Sequence, residues 1–220
     1  MEFYGNYQVY SESGVDLTLL RENLRRSVEE RWDKNARFLP FMEALRASNK
    51  NHPEPPIMEL DAPALLRRLT SHRVEFVLIG GLAMIAHGSA YITKDLDVCY
   101  SRKPANIAAL VSALTPLHPY LRGAPPGLPF RWDAPTIQAG LNFTLITDLG
   151  DLDLLGEISG IGGYDQAVLQ SEERNIYDLT IRILTLDGLI AAKKAAGRAK
   201  DLGHILELEE LKKMRDAKSE

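Results

Sequence analysis

A chain of 220 residues, 45% hydrophobic and 25% charged, is long enough for one well-cored domain, with or without a smaller appendage. Its net charge of −4 argues against a protein whose whole surface binds nucleic acid, and its single cysteine excludes an internal disulfide framework. No apolar run approaches the roughly 20 residues that cross a bilayer, and the N-terminal residues lack a signal-peptide pattern. We therefore expect a cytoplasmic protein with no membrane partner.

The first part of the chain predicts two helices and a linker. Leucines at helical spacing indicate a helix over residues 15–26. The run from Ser27 to Glu30 is a capping-box pattern that predicts a second helix, which Pro40 would kink or interrupt. Residues 48–56, SNKNHPEPP, are polar and rich in proline, as in a linker. The apolar spacing favours helices that pack on the rest of the chain, and the alternative is a face for RNA phosphates. We therefore separate an N-terminal helical segment with its linker, residues 1–56, from a main domain over residues 57–220.

The main domain predicts a mixed β-sheet flanked by helices, an α+β fold. Asp61 is expected to cap a helix through Arg68, and an apolar strand over 74–79 leads into a Gly-Gly turn. Gly88 is suited to end the helix that follows this turn. The remaining predictions are a helix over 82–87, a strand over about 94–100, a helix over 105–114, a loop over 117–135, hairpin strands over 141–147 and 151–158, a strand over 180–184, and helices over 187–196 and 199–214.

Two aspartates lie two positions apart in the strand after the Gly-Gly turn. Asp95 and Asp97 share one face of an extended segment, roughly 6–7 Å apart along the strand, which suits oxygen ligands that converge on Mg²⁺. Because Asp is poorly suited to strands, the pair favours a site for Mg²⁺, or Mn²⁺ in its place, over a solvated strand end. Asp153 offers a third carboxylate, but Asp151 shares its strand face, so periodicity alone cannot choose between them.

Several residues around these aspartates are suited to phosphate binding. A glycine turn that opens a helix lets the backbone approach closely and presents free N–H groups, although many such turns use glycine for steric reasons alone. Nearby hydroxyls could add contacts, and a basic cluster late in the chain is either a solvated helix end or a source of positive charge for a triphosphate. The candidate nucleotide-binding residues are Gly80, Gly81, Ser89, Thr93, Lys193 and Arg198.

Together these pieces resemble the nucleotidyltransferase superfamily, and within it the bacterial abortive-infection, type IV toxin–antitoxin group. The resemblance covers about residues 60–215. It places the third carboxylate at Asp153, because the family's aspartate precedes a Leu-Leu pair, and it matches the family lysine and arginine to Lys193 and Arg198. One position departs: Tyr91 lies where the family often has an arginine. The matching segments, in family order, are IGGLAMIAHG (79–88), TKDLDV (93–98), GDLDLLGEI (150–158) and LIAAKKAAGRAKDL (189–202).

The resemblance implies a nucleotidyltransferase fold for residues 57–220 and an enzyme that transfers NMP from an NTP to an acceptor hydroxyl, with release of pyrophosphate. Asp95 and Asp97 would hold two Mg²⁺ ions, and Asp153 would complete one metal's shell and take the acceptor proton. Family members suggest tRNA or another RNA, a protein side chain or a small molecule such as an aminoglycoside as acceptor, and a cognate antitoxin protein as partner. A metal-dependent phosphodiesterase or nuclease, which acts without NTP, is one alternative. A non-catalytic nucleotide-binding module, which Tyr91 favours, is another.

Overall fold

The computed structural model describes residues 8–48, 59–125 and 129–217. Its described part begins with α1 (Leu17–Leu24) and α2 (Val28–Ser48). The predicted capping box begins α2: the Glu30 N–H donates to the Ser27 hydroxyl at 3.2 Å, and the Ser27 N–H donates to the Glu30 carboxylate at 2.8 Å. All of the predicted linker except its first residue lies outside the described residues.

Of the two effects predicted for Pro40, a kink or an interruption of the second helix, the interruption is wrong, because α2 continues through Pro40. A proline inside a helix leaves the carbonyl four residues earlier, here that of Ala36, without its usual N–H donor. Pro40 is exposed at the surface of α2, so water can satisfy this carbonyl and the helix persists.

Within the described residues, seven strands form a mixed sheet in the order β3-β4-β5-β2-β1-β9-β8. The elements after α2 are α3 (Ala62–Ser71), β1 (Phe76–Ile79), α4 (Gly80–His87), β2 (Asp95–Tyr100), α5 (Pro104–Leu114), a 3₁₀ turn (Thr115–Leu117), β3 (Tyr120–Leu121), α6 (Ala134–Ala139), β4 (Asn142–Thr147), β5 (Gly150–Leu155), β6 (Glu157–Ile158), β7 (Gly162–Gly163), α7 (Tyr164–Leu169), β8 (Ser171–Ile176), β9 (Leu179–Leu184), α8 (Leu186–Ala196) and α9 (Asp201–Asp216). The predicted α+β class, a mixed sheet flanked by helices, is confirmed.

Parallel and antiparallel pairs alternate around the centre of this sheet. β2 pairs with β5, and β1 with β9, in parallel, while the other neighbours in the sheet are antiparallel. β1 lies between β2 and β9, and all four of its residues are buried, as expected of a strand covered on both faces. The core therefore fixes the end of β1, where α4 begins, and the neighbouring strand β2, which carries Asp95 and Asp97.

The predicted hairpin is confirmed, but its surroundings differ from the prediction. β4 and β5 pair with Thr147 opposite Gly150. The predicted loop over 117–135 contains β3 and the start of α6, whose N-terminus is capped by Asp133 through the Thr136 N–H at 2.9 Å. The second hairpin strand ends at Leu155 rather than continuing to 158, because β6 turns away to pair with β7. The unpredicted β8 is an edge strand with the charged sequence SEERNI, which lacks the apolar alternation of a half-buried strand.

The N-terminal helices pack on the rest of the described chain. Leu17, Leu20 and Trp32 are buried in the common core. The Trp32 indole N–H donates to the Leu82 carbonyl of α4 at 3.1 Å, and the Arg31 guanidinium contacts carbonyls near the end of the same helix. This packing is the alternative that the apolar spacing favoured. No helix in the described ranges is both long and apolar enough to cross a membrane.

Candidate functional site

The acidic cluster is built by the parallel pairing of β2 with β5. Asp95 lies opposite Asp151 and Asp97 opposite Asp153, so all four side chains point to one face of the sheet. Ligand oxygens of Asp95, Asp97 and Asp153 lie within 4.8 Å of one another, the only such group of metal-ligating side chains in the described residues. These three carboxylates could therefore hold a metal ion. The structure thus groups Asp153, rather than Asp151, with the Asp-x-Asp pair.

The electrostatics of this cluster fit a divalent cation. Burial raises the pKa of Asp97 to about 7, and repulsion from Asp95 and Asp153 adds to the rise, against a backbone hydrogen bond from Gly81. Burial also raises the pKa of Asp153 to about 6, although a neighbouring guanidinium favours its charged form. Crowded, partly desolvated carboxylates repel one another, and a donor set made only of oxygens suits a hard divalent cation.

Both glycines of the turn are required by close approach of α4 to β2. A Cβ on Gly80, whose φ is +65°, would overlap the Asp97 carboxylate. A Cβ on Gly81 would overlap the Thr93 side chain. Because the Gly81 N–H is bonded to Asp97, the turn positions this carboxylate at the N-terminus of α4, where the helix dipole favours negative charge.

Thr93 positions Asp95 and is itself held by the N-terminal helices. Its hydroxyl donates to Asp95 Oδ1 at 2.6 Å. The Asn35 side chain of α2 clamps the backbone of Thr93, donating to its carbonyl at 2.7 Å and accepting from its N–H at 2.9 Å. Residues 8–48 therefore contribute directly to the geometry of the carboxylates.

Ser89 is placed away from the cluster. It is buried, and its hydroxyl accepts from the Tyr91 N–H at 3.0 Å. Its carbonyl accepts from the Asn23 side chain of α1 at 3.0 Å. These contacts fix the turn between α4 and β2, and Ser89 does not line the cleft described below.

The basic side chains of the site are joined by a buried aspartate. Lys193 Nζ lies 3.0 Å from Asp201 Oδ1, and Arg198 Nε lies 2.6 Å from Asp201 Oδ2. Burial alone would raise the pKa of Asp201, but its hydrogen bonds to Arg198 and Lys193 bring it down to about 2. The neighbouring Lys194 instead pairs with Glu209 at the exposed surface. The two neighbouring lysines therefore differ in their surroundings: Lys193 pairs with a buried aspartate and Lys194 with an exposed glutamate.

An open cleft of about 320 Å³ lies between the carboxylates and these cations. Among the residues that line it are Gly80, Asp97, Asp153, Lys193 and Arg198. A larger cavity, of about 390 Å³, lies between α2 and α3, but the acidic cluster does not line it. Among the cavities in the described residues, we therefore take this cleft of about 320 Å³ as the functional site.

Tyr91 packs beside the basic side of the cleft. Its ring meets the His204 ring edge-on, with centroids 4.3 Å apart, and His204 Nδ1 lies 3.2 Å from Lys193 Nζ. Burial raises the pKa of the Tyr91 hydroxyl, and the charges of Asp95 and Asp97 raise it further. At this position the family that the chain resembles often has an arginine. Here it is a neutral tyrosine ring, close to the carboxylates of Asp95 and Asp97 and to the basic side of the cleft.

Sequence reasoning missed three residues of this site: Asn35, Asp201, and Arg122, whose guanidinium contacts Asp151 and Asp153. Asn35 lies in a helix outside the resemblance, and Arg122 lies in a predicted loop without a motif, so no local signal indicates either. Asp201 could have been found, because it ends the basic run Gly-Arg-Ala-Lys-Asp, where an acid among cations suggests an ion pair.

Comparison of the chain with protein-family models finds no match, and comparison with curated proteins finds none either. The site is therefore interpreted from its own geometry.

Proposed function

We propose that this protein is a metal-dependent nucleotidyltransferase, with the corresponding fold, that transfers NMP from an NTP to an acceptor hydroxyl. The observation that carries the proposal is a cleft lined by Asp97 and Asp153, which form the carboxylate cluster with Asp95, and also by Lys193 and Arg198. A triphosphate needs cations along its length, and the attacking hydroxyl needs a nearby group that can accept its proton. This cleft offers both.

The residues of the cleft can supply the groups that this reaction requires. An acceptor hydroxyl oxygen bonds to the α-phosphorus of the NTP, the bond from that phosphorus to the oxygen shared with the β-phosphorus breaks, and pyrophosphate leaves with the electron pair. The proton of the hydroxyl passes to a carboxylate oxygen of Asp153, which acts as the general base. When bound by Asp95, Asp97 and Asp153, Mg²⁺ or Mn²⁺ supplies Lewis acidity and neutralises phosphate charge.

Lys193 is the cation best placed to hold the leaving phosphates. Its side chain is 12% exposed, lines the cleft and is oriented by Asp201. A lysine fixed in this way has lost most of its side-chain freedom before the nucleotide binds, so less binding energy is spent on ordering it. Arg198 is 57% exposed, also lines the cleft and adds a second positive charge there.

Labelled nucleotides test the proposal. The full chain is incubated with each of the four [α-³²P]NTPs, Mg²⁺ and either total cellular RNA or lysate. We expect a macromolecule to acquire label, and EDTA or Asp97→Asn to abolish the labelling. Asp165→Asn is the control, because it removes the same charge from a side chain that is 73% exposed.

The other outcomes contradict the proposal in distinct ways. Full labelling by Asp97→Asn would remove the metal site from the reaction. Cleavage of RNA without NTP would identify a phosphodiesterase or nuclease. Nucleotide binding without transfer to RNA, protein or small-molecule hydroxyls in the lysate would identify a binding module. A label on RNA, by contrast, would make RNA the acceptor class.

A further inference from the structure

An arginine just after β3 lies against the carboxylate cluster. The backbone N–H of Arg122 donates to the Thr144 carbonyl of β4 at 2.9 Å, which fixes the origin of its side chain. Its Nη2 lies 2.8 Å from Asp153 Oδ1 and 3.9 Å from Asp95 Oδ2, and its Nη1 lies 2.8 Å from Asp151 Oδ2. One guanidinium therefore contacts two of the three carboxylates that could hold a metal ion.

These contacts place Arg122 where a divalent cation would compete with it. A guanidinium and a metal ion that share the same carboxylate oxygens lie within a few ångströms of each other, where two positive charges repel strongly. The side chain of Arg122 is 25% exposed, so the guanidinium can move toward solvent without crossing the core. Its buried Nη1 faces Asp151 without the alignment of a hydrogen bond, so the present arrangement leaves one donor poorly satisfied.

Asp151 has the position needed to retain the arginine. It shares the sheet face of the cluster, yet the group that could hold a metal contains Asp153 instead. It is directly opposite Asp95 and two residues before Asp153, so an arginine held by Asp151 stays beside both. This gives distinct roles to two aspartates that strand periodicity could not distinguish.

We propose that Arg122 is an internal counter-ion that competes with the divalent cation for Asp153 and Asp95. In the metal-free protein its Nη2 compensates these carboxylates. Cation binding displaces Nη2, while Asp151 keeps the side chain at the edge of the cleft. Arg122 is thus a positioning residue that sets the affinity for the cation, an inference that rests on the proposed metal-dependent function.

Direct Mn²⁺ titration tests this role without any measurement of activity. The paramagnetic resonance signal of free Mn²⁺ gives the dissociation constant for Mn²⁺ bound to the full chain at pH 8. We expect Arg122→Gln to bind Mn²⁺ about tenfold more tightly than the wild type, because the competing charge is gone. Arg122→Lys, which keeps the charge, should stay near the wild-type affinity. Arg131→Gln, which removes an exposed arginine of the following loop, is the matched control and should change nothing.

Each result separates this inference from the proposed function. If the wild type binds Mn²⁺ and Arg122→Gln binds it equally or more weakly, only the role of Arg122 is overturned. If neither protein binds Mn²⁺, the metal site and the role of Arg122 both fail. If Arg122→Gln does not fold without metal, circular dichroism during the Mn²⁺ titration decides. If the variant folds on addition of Mn²⁺, the result supports the proposal that the metal ion and the Arg122 guanidinium take each other's place at Asp153 and Asp95. A variant that stays unfolded overturns it.

Discussion

Asp97→Asn removes a buried group whose ionisation opposes folding in the metal-free protein. The pKa of this carboxyl rises from 3.8 to about 7 in the fold. Between these pH values the folded state binds more protons than the unfolded state, so stability is lost as pH rises through this window and stays low above it. The shift of roughly 3 pKa units corresponds to an upper limit of about 4 kcal/mol at pH 8. The asparagine oxygen can still accept the hydrogen bond from Gly81.

Thermal unfolding in EDTA measures this effect. At pH 8 we expect Asp97→Asn to raise the unfolding midpoint by about 5–10 °C, since 1 kcal/mol is roughly 2–4 °C for a chain of this size. At pH 5 the folded carboxyl is already protonated, so the gain should fall by more than half. Asp165→Asn, at an exposed position, should show no such pH dependence. A gain that is equal at both pH values, or a loss at pH 8, would refute the reasoning.

Two further substitutions test other parts of the site. Gly80→Ala should abolish transfer and lower the unfolding midpoint, because its Cβ would overlap Asp97 and its φ is positive; wild-type activity and stability would contradict this. Lys193→Ala should weaken NTP binding by about 1.5–3 kcal/mol, the cost of losing a charge-assisted contact. Lys194→Ala should cost less than about 0.5 kcal/mol, because this lysine forms an exposed ion pair, and equal effects of the two in nucleotide titrations would contradict the assignment.

Local sequence predicted the elements that carry their own signals. The apolar strand β1, the helix ended by Gly88 and the β4–β5 hairpin follow from runs of apolar residues and glycine turns. The edge strand β8 forms a hairpin with β9, the next strand, but its charged sequence SEERNI lacks the apolar alternation that would predict it. The two-residue β3 has no pattern of its own, because its pairing partner β4 comes later in the chain, after α6. Elements stabilised mainly by tertiary contacts are the ones that pattern reasoning misses.

The same distinction applies to the site. Asp95 and Asp97 could be paired from their spacing, but the approach of Asp153 depends on the parallel register of β2 and β5, which is a tertiary property. Periodicity could not separate Asp151 from Asp153, since the separation depends on which of them lies opposite Asp97 in the paired strands. Sequence reasoning therefore found the three carboxylates that could hold a metal ion, and it missed Arg122, which contacts two of them, and Asn35, which holds Thr93.

The position of the label in the product tests the central claim most directly. Parallel reactions contain the protein, Mg²⁺, an acceptor fraction and the same NTP, labelled either at the α-phosphorus or at the γ-phosphorus. Nucleotidyl transfer predicts that the α-label enters the acceptor and the γ-label is recovered as pyrophosphate, with Asp97→Asn inactive in both. Entry of the γ-label into the acceptor would show phosphoryl transfer instead, and would contradict the account.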